Sequence, residues 1–215
     1  MAIDVDAEGL AALSEKAAGR VDRLEADLSR WTACEQVVSE TVARHGRVDV
    51  LVNCAAILRR TELDEVNPET FAAIFDANCR SVFVVMRHAM RDMELRGWGR
   101  IVNVTSVGVH VGGYSLTSAL YEASKAAVMS FTKTFARYAG PRGILVNAVA
   151  PGGMRTPMLT EQTPPELLEV VEQDIPLGRL AEPAEIAGLI AYLAGEENTY
   201  ASGATFDVNG GVVTP

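Results

Sequence analysis

Tyr121 and Lys125 stand four residues apart in the stretch LYEASKAAV. On a helix that spacing puts the phenol and the ammonium one turn apart on a single face. A phenol ionises near pH 10, so at neutral pH it exchanges protons poorly unless a nearby cation favours the phenolate. Lys125 can be that cation, and the pair could then move a proton to or from a substrate oxygen. Many helices carry tyrosine and lysine at this spacing, so the pair alone does not separate catalysis from an ordinary helix surface. Two neighbouring stretches add to it. GRIVNVTSVGV reads as a buried strand with Ser106 where the chain leaves the sheet, and GILVNAVAPGGMRTP reads as a strand stopped by a turn at Pro151 and Gly152. Both ends point to the same sheet edge, although a serine there also suits a plain turn.

The elements that must position these groups can be read from periodicity and punctuation. MAIDVD is a short strand, and residues 7–19 place Leu10, Leu13 and Ala17 at helical spacing before Gly19. RVDRLEADLS follows as a strand, and residues 31–45 as a helix with Val37, Val38 and Val42 on one face, capped by Ser29 or Thr32. RVDVLVNCAAI is a continuous apolar run, as expected of a strand buried on both faces of a parallel sheet. Asn67 and Pro68 open a helix to about Arg96, and residues 119–139 form an Ala-rich helix. EPAEIAGLIAYLA is a further helix and ATFDVNGG a last strand. Strands alternating with helices of this length predict an α/β fold with a parallel sheet between two helical layers. No linker or repeat divides it, so residues 1–215 read as one domain. The stretch around 153–180 is the one long irregular segment; it follows a strand's C-terminal end, where ligands bind in open α/β sheets, and reads as a substrate lid.

Composition bounds the function. The chain has 215 residues, 48% of them apolar, and a formal charge of -9 from 19 basic and 28 acidic side chains. With no basic cluster, a nucleic-acid partner is not expected. No apolar run is long enough to span a bilayer and no signal-peptide pattern opens the chain, so a cytoplasmic protein without membrane contact is the expectation. Cys34, Cys54 and Cys79 have neither CxxC spacing nor a histidine pair beside them, and read as buried free thiols, with no metal site.

Taken together and in order, EADLS, VDVLVNCAA, FDANCRSVF, GRIVNVTSV, YEASK, VNAVAPGGMRTP and GRLAEPAEIAGLIAYL...ASGATFDVNGG resemble the short-chain dehydrogenase/reductase family, in its classical branch, along almost the whole chain. The resemblance implies a Rossmann-like doubly wound sheet, three-layer α/β/α, and hydride transfer between NAD(H) and a secondary alcohol or ketone. It implies that Tyr121 is the acid/base, that Lys125 lowers its pKa and touches the nicotinamide ribose, and that Ser106 hydrogen-bonds the reacting oxygen. Asn78 would hold the water of a proton relay to Lys125; a helix-face amide bonded to nearby backbone is the alternative. Asp27 and Leu28 would border the adenine, Asn53, Ala55 and Ala56 the cofactor, and Val149, Pro151, Gly152 and Thr156 the nicotinamide. Cys54 and Ala56 depart from the family's second Asn and its Gly, and a packing role is expected for Cys54. The loop from Ser106 to Tyr121 is slightly long; His110 and Tyr114 in it could face substrate or solvent, and Met154, Met158 and Leu159 would suit a partly apolar one.

The family's Gly-rich turn, where backbone N–H groups receive the pyrophosphate, has no counterpart before Asp27. AIDVD matches the end of the family's second strand, so an N-terminally truncated fold is expected, with the first strand and first helix missing. In the family's strand order, 3-2-1-4-5-6-7, that strand lies mid-sheet, and the gap should leave a damaged sheet or be closed by movement of the first two strands. Asp4 at the end of its strand can bond an adenosine 2'-OH and repel a 2'-phosphate, which favours NAD over NADP; Asp6 is its rival, or a helix cap. A silent protein keeping only an association surface is the alternative from another class, and a 3-oxoacyl-carrier-protein reductase the alternative substrate reading. The long helices at 68–96 and 119–139 correspond to those through which family members form dimers and tetramers.

Overall fold

The structure is a computed structural model that describes residues 1–214. Six parallel strands form two sheets. β1 (Ala2–Asp4) pairs with β2 (Arg23–Glu25), and β3 (Val50–Asn53), β4 (Gly99–Val104), β5 (Ile144–Pro151) and β6 (Thr205–Val208) pair in that order. The helices are α1 (Ala7–Lys16), α2 (Trp31–His45), α3 (Pro68–Phe75), α4 (Ser81–Glu94), α5 (Gly108–Val111), α6 (Ala119–Ala139), α7 (Pro157–Thr160), α8 (Pro165–Asp174) and α9 (Pro183–Ala194). The expected α/β Rossmann-like architecture is present, with helices on both faces of the parallel strands.

The apolar runs explain the layers. β5 is buried at nearly every position, because both of its faces are covered. On one face α2, α4 and α6 close over Val37, Val38, Val82, Val85, Met86, Ile101, Val128 and Val146. On the other, Ile186 and Leu193 of α9 pack on Val102 and Val149. Ile3, Leu24 and Leu28 lean on the first cluster, which is what holds the β1–β2 ribbon to the rest.

The gap is not closed. Between β1 and β3 lies a cavity of about 580 Å³, so the sheet is split in two. Several local expectations change with it. Asp6 caps α1 by accepting the Glu8 and Gly9 N–H groups, whereas α2 has Arg30 at its N-cap and no side-chain cap from Ser29 or Thr32. The helix expected from Asn67 to Arg96 is interrupted by a π-helical turn, Asp76–Arg80. The segment read as irregular contains α7 and α8, and α8 buries Val171 against Ile175 and Leu180. A strand bridge from Met154 to Ala181 ties the two ends of this segment. Of the three cysteines read as buried, only Cys34 is; Cys79 is half-buried and Cys54 is exposed, because it leaves β3 at the open cavity.

Candidate active site

The C-terminal ends of β4 and β5 and the first turns of α6 converge on one small cavity. It measures about 180 Å³ and is lined by Ser106, Tyr121, Glu122, Pro151, Gly152 and Thr156 among others. Residues 116–118 make a tight turn whose entry is fixed by Ser115, which accepts the Thr117 N–H. α6 starts directly after it, so Tyr121 falls on the helix's first turn, facing β4.

Lys125, one turn on, is only 2% exposed. Its Nζ donates to the Val104 carbonyl at 2.8 Å and lies 5.7 Å from the centre of the Tyr121 ring. Burial pushes its ammonium down to about 8, against a weaker opposing pull from Cys54 and Glu122. Burial, with Glu122 and Cys54 adding to it, raises the Tyr121 hydroxyl well above its ordinary value. Desolvation of the phenol sets the direction of this shift.

Ser106 accepts the Gly108 N–H at 3.1 Å, the turn role that its place suggested. It also faces Glu122, whose carboxyl is raised by burial and partly brought back by the Ser106 hydroxyl. Glu122 Oε2 is buried without a hydrogen-bond partner among the described residues. Neither Glu122 nor Arg60, which lines the same cavity, was singled out in the sequence. The one available signal was the position of Glu122 between Tyr121 and Lys125.

Asn78 sits inside the π-helical turn, fully buried. Its Oδ1 accepts the Ile57 N–H at 2.7 Å, and its Nδ2 donates to the Ile57 carbonyl at 2.9 Å and the Ser124 hydroxyl at 3.1 Å. The alternative reading, an amide bonded to nearby backbone, describes its contacts. Gly152 donates its N–H to Val208, and a Cβ there would come within 2.8 Å of the Asn209 backbone. Thr156 precedes α7 and takes the Thr160 N–H on its carbonyl.

The other expected residues lie apart from this cavity. Asp4, Leu28, Asn53, Ala55 and Ala56 all line the larger one between β1 and β3. Asn53 Nδ2 donates to Asn103 at 2.8 Å, and Asp4 accepts the Asp6 N–H at 3.1 Å. Asp27 borders neither cavity; it accepts the Ser29 N–H, and Ser29 holds its carboxyl below the usual range. His110 is paired with Asp207 at 3.1 Å, and Tyr114 donates to Asp174 of α8 at 2.7 Å. Arg60 reaches the same lid through the Gln162 carbonyl and Thr163. Met154, Met158 and Leu159 line the small cavity.

A parallel α/β layer with a serine just past a strand end and a tyrosine and lysine one turn apart on the neighbouring helix defines a class of nucleotide-dependent oxidoreductases, and the comparisons agree. The sequence matches the family described as Enoyl-(Acyl carrier protein) reductase over residues 1–213. It is 39% identical to an acetoacetyl-CoA reductase of Acinetobacter sp. over 86% of this chain and 74% of that protein. It is 38% identical to the 3-oxoacyl-[acyl-carrier-protein] reductase FabG of Thermotoga maritima over 98% of this chain and 85% of that one. The chain belongs to the short-chain dehydrogenase/reductase family of oxidoreductases, whose reductases use nicotinamide cofactors.

The donor groups and close backbone approach that such a cofactor would need are present in two places. The Gly152 backbone leaves no room for a side chain, Lys125 is buried one turn behind Tyr121, and Asp4 lines the larger cavity. No glycine-rich strand-to-helix turn is found between these places among the described residues, and the 580 Å³ cavity opens there.

Proposed function

We propose that the chain is an NAD(H)-linked oxidoreductase that interconverts a secondary alcohol and a ketone at the cavity bounded by Ser106 and Tyr121. The observation that carries this is the placement of the Tyr121 phenol in that cavity beside Ser106, with the buried Lys125 one helical turn behind. When bound, the cofactor would give or take a hydride at the carbinol carbon. The chain's own groups manage the oxygen. Hydride arrival leaves an alkoxide, the Tyr121 hydroxyl donates its proton to it, and Ser106 holds that oxygen in place; alcohol oxidation runs the same proton in reverse. A Lys125 ammonium favours the phenolate formed in the transfer, and Asn78 acts from behind by fixing the Ile57 backbone.

Lys125, Pro151, Gly152 and Thr156 would hold the nicotinamide end, Asn53, Ala55 and Ala56 the middle, and Asp4, Asp27 and Leu28 the adenosine end. Asp4 supports NAD over NADP by like-charge repulsion of a 2'-phosphate. The apolar lid residues Met154, Met158 and Leu159 support a partly apolar substrate. The printed activities of the relatives favour a second reading, a 3-oxoacyl thioester as substrate. The faces of α4 and α6, with Phe83, Phe131 and Phe135 clustered between them, support a homodimer or homotetramer. No helix among the described residues is long and apolar enough to cross a membrane, and a cytoplasmic location fits this reading.

Nicotinamide fluorescence on titration with NADH and NADPH, followed by rates on secondary alcohols and 3-hydroxyacyl thioesters, tests it. NADH should bind in preference to NADPH, with turnover on the alcohols. No fluorescence change at millimolar NADH would sink the oxidoreductase reading for this chain and leave the silent one.

A further inference from the structure

Among the ionisable side chains that line the small cavity, Tyr121 has the proton transfer, and Arg60 and Tyr114 are fastened to the lid. Glu122 has no task yet. Its carboxyl lies over Gly108, where a Cβ would overlap Glu122 Cδ and both carboxyl oxygens. Gly108 has no positive φ, so the backbone does not demand glycine there. The space left by its missing side chain is the seat of the carboxyl. The N–H of the same glycine donates to Ser106 Oγ at 3.1 Å, so carboxyl and hydroxyl are held against one residue.

The seat suits a neutral acid. Glu122 Oε2 is buried without a hydrogen-bond partner among the described residues. A carboxylate is costly where its oxygens find no donors. The charged and titratable neighbours do not reverse this. Tyr121 and Lys125 stand on α6 itself, Arg60 comes from the segment after β3, and Tyr114 from the loop after α5. Met154, at the end of β5, and Met158, Leu159, Leu167 and Val171 of the lid bring no titratable group to the cavity. Burial raises the carboxyl against weaker pulls from Ser106, Lys125 and Arg60.

A hydroxyl has one hydrogen and two acceptor sites. One acceptor site of Ser106 is taken by the Gly108 N–H, and its hydrogen is the one the reacting oxygen needs. We propose that Glu122 is a positioning residue: its neutral carboxyl donates to the second acceptor site of Ser106 and so turns the Ser106 hydrogen toward the reacting oxygen. An ionised Glu122 takes that hydrogen for itself, and the reacting oxygen loses its Ser106 donor. The inference rests on the oxidoreductase reading and adds a condition to it, that ketone reduction needs Glu122 protonated.

Two measurements test this, the first without catalysis. In protein carrying isotope-labelled glutamate side chains, NMR should show a carboxyl titrating above the ordinary 4.5, absent from Glu122→Gln and moved higher in Ser106→Ala, where the carboxylate loses a donor. The second is the pH profile of kcat/KM for NADH with butanone or acetoacetyl-CoA, which should fall through that same interval. Glu122→Gln can donate to Ser106 but cannot ionise. It should stay within about 3-fold of the parent rate and lose this limb, whereas Glu122→Ala should be about 10-fold slower, the order of one lost hydrogen bond. A Glu122 midpoint at or below 4.5, a limb that persists in Glu122→Gln, or equal rates in the two variants would overturn the inference and leave the oxidoreductase reading standing. No turnover of either compound by the parent chain would sink that reading and the inference with it.

Discussion

At the residue scale, the site couples a half-buried phenol and a buried ammonium whose ionisation the fold opposes. Tyr121→Phe removes the transferable proton, and steady-state rates should fall 10²- to 10⁴-fold, about the contribution of a positioned acid/base; cofactor titration should be unchanged. Lys125 ionises at about 8 in the folded protein, against an ordinary 10.5. The folded chain therefore holds this proton less well than the unfolded one, so the cost of burying the ammonium is full below pH 8 and fades between pH 8 and 10.5. Lys125→Met should accordingly raise the thermal midpoint at pH 7, with the gain shrinking over that interval, while turnover is lost. A gain that does not vary with pH would show that Lys125 is not titrating there.

At the scale of elements, α2 and α6 begin and end where their residues predict, because a positive-φ Gly46 stops one and apolar spacing sustains the other. The π-helical turn was not legible: one extra residue in a helix hardly alters an apolar pattern, though it rotates Asn78 onto Ile57. Asn78→Ala would leave both backbone groups of Ile57 without partners, at about 1 to 3 kcal/mol each. Urea unfolding should show a loss of about 2 to 6 kcal/mol, and exchange at the Ile57 amide should quicken. α8 was hidden for another reason. Its prolines and the density of turn residues around it suggest irregular chain, yet proline at a first helical turn is well tolerated. Arg60 and Tyr114 fasten this part of the lid, so Arg60→Ala should raise KM several-fold with little change in kcat, read from initial-rate curves.

At the scale of the whole molecule, the fold class and the convergence of Ser106, Tyr121, Pro151, Gly152 and Thr156 were legible because strand ends and turn residues fix them. The expected adenosine and mid-cofactor residues are a different matter. Asp4, Asn53, Ala55 and Ala56 border one cavity, but they ring a hollow, since their geometry depends on sheet continuity that local patterns do not encode. The apolar run through Val50 and Val52 suggested burial on both faces, and only the absence of cover shows otherwise. The β1–β2 ribbon adheres through a few apolar side chains, Ile3, Leu24, Ala26 and Leu28. Its amides should therefore open at lower free energy than those of β4 and β5, in native-state exchange under low denaturant. Equal opening energies would mean that the two sheets unfold as one unit.

The Met154–Ala181 bridge has a bearing on diversification. Ala181 donates its N–H to Gly153 and accepts that of Arg155, so the intervening lid leaves and re-enters the framework at a single clasp. Loop closure depends only weakly on loop length. The segment from Thr156 to Leu180 is thus a cassette: a longer, shorter or foreign one can be spliced between the same two clasp residues, changing what the cavity admits while the strands beneath it stay as they are.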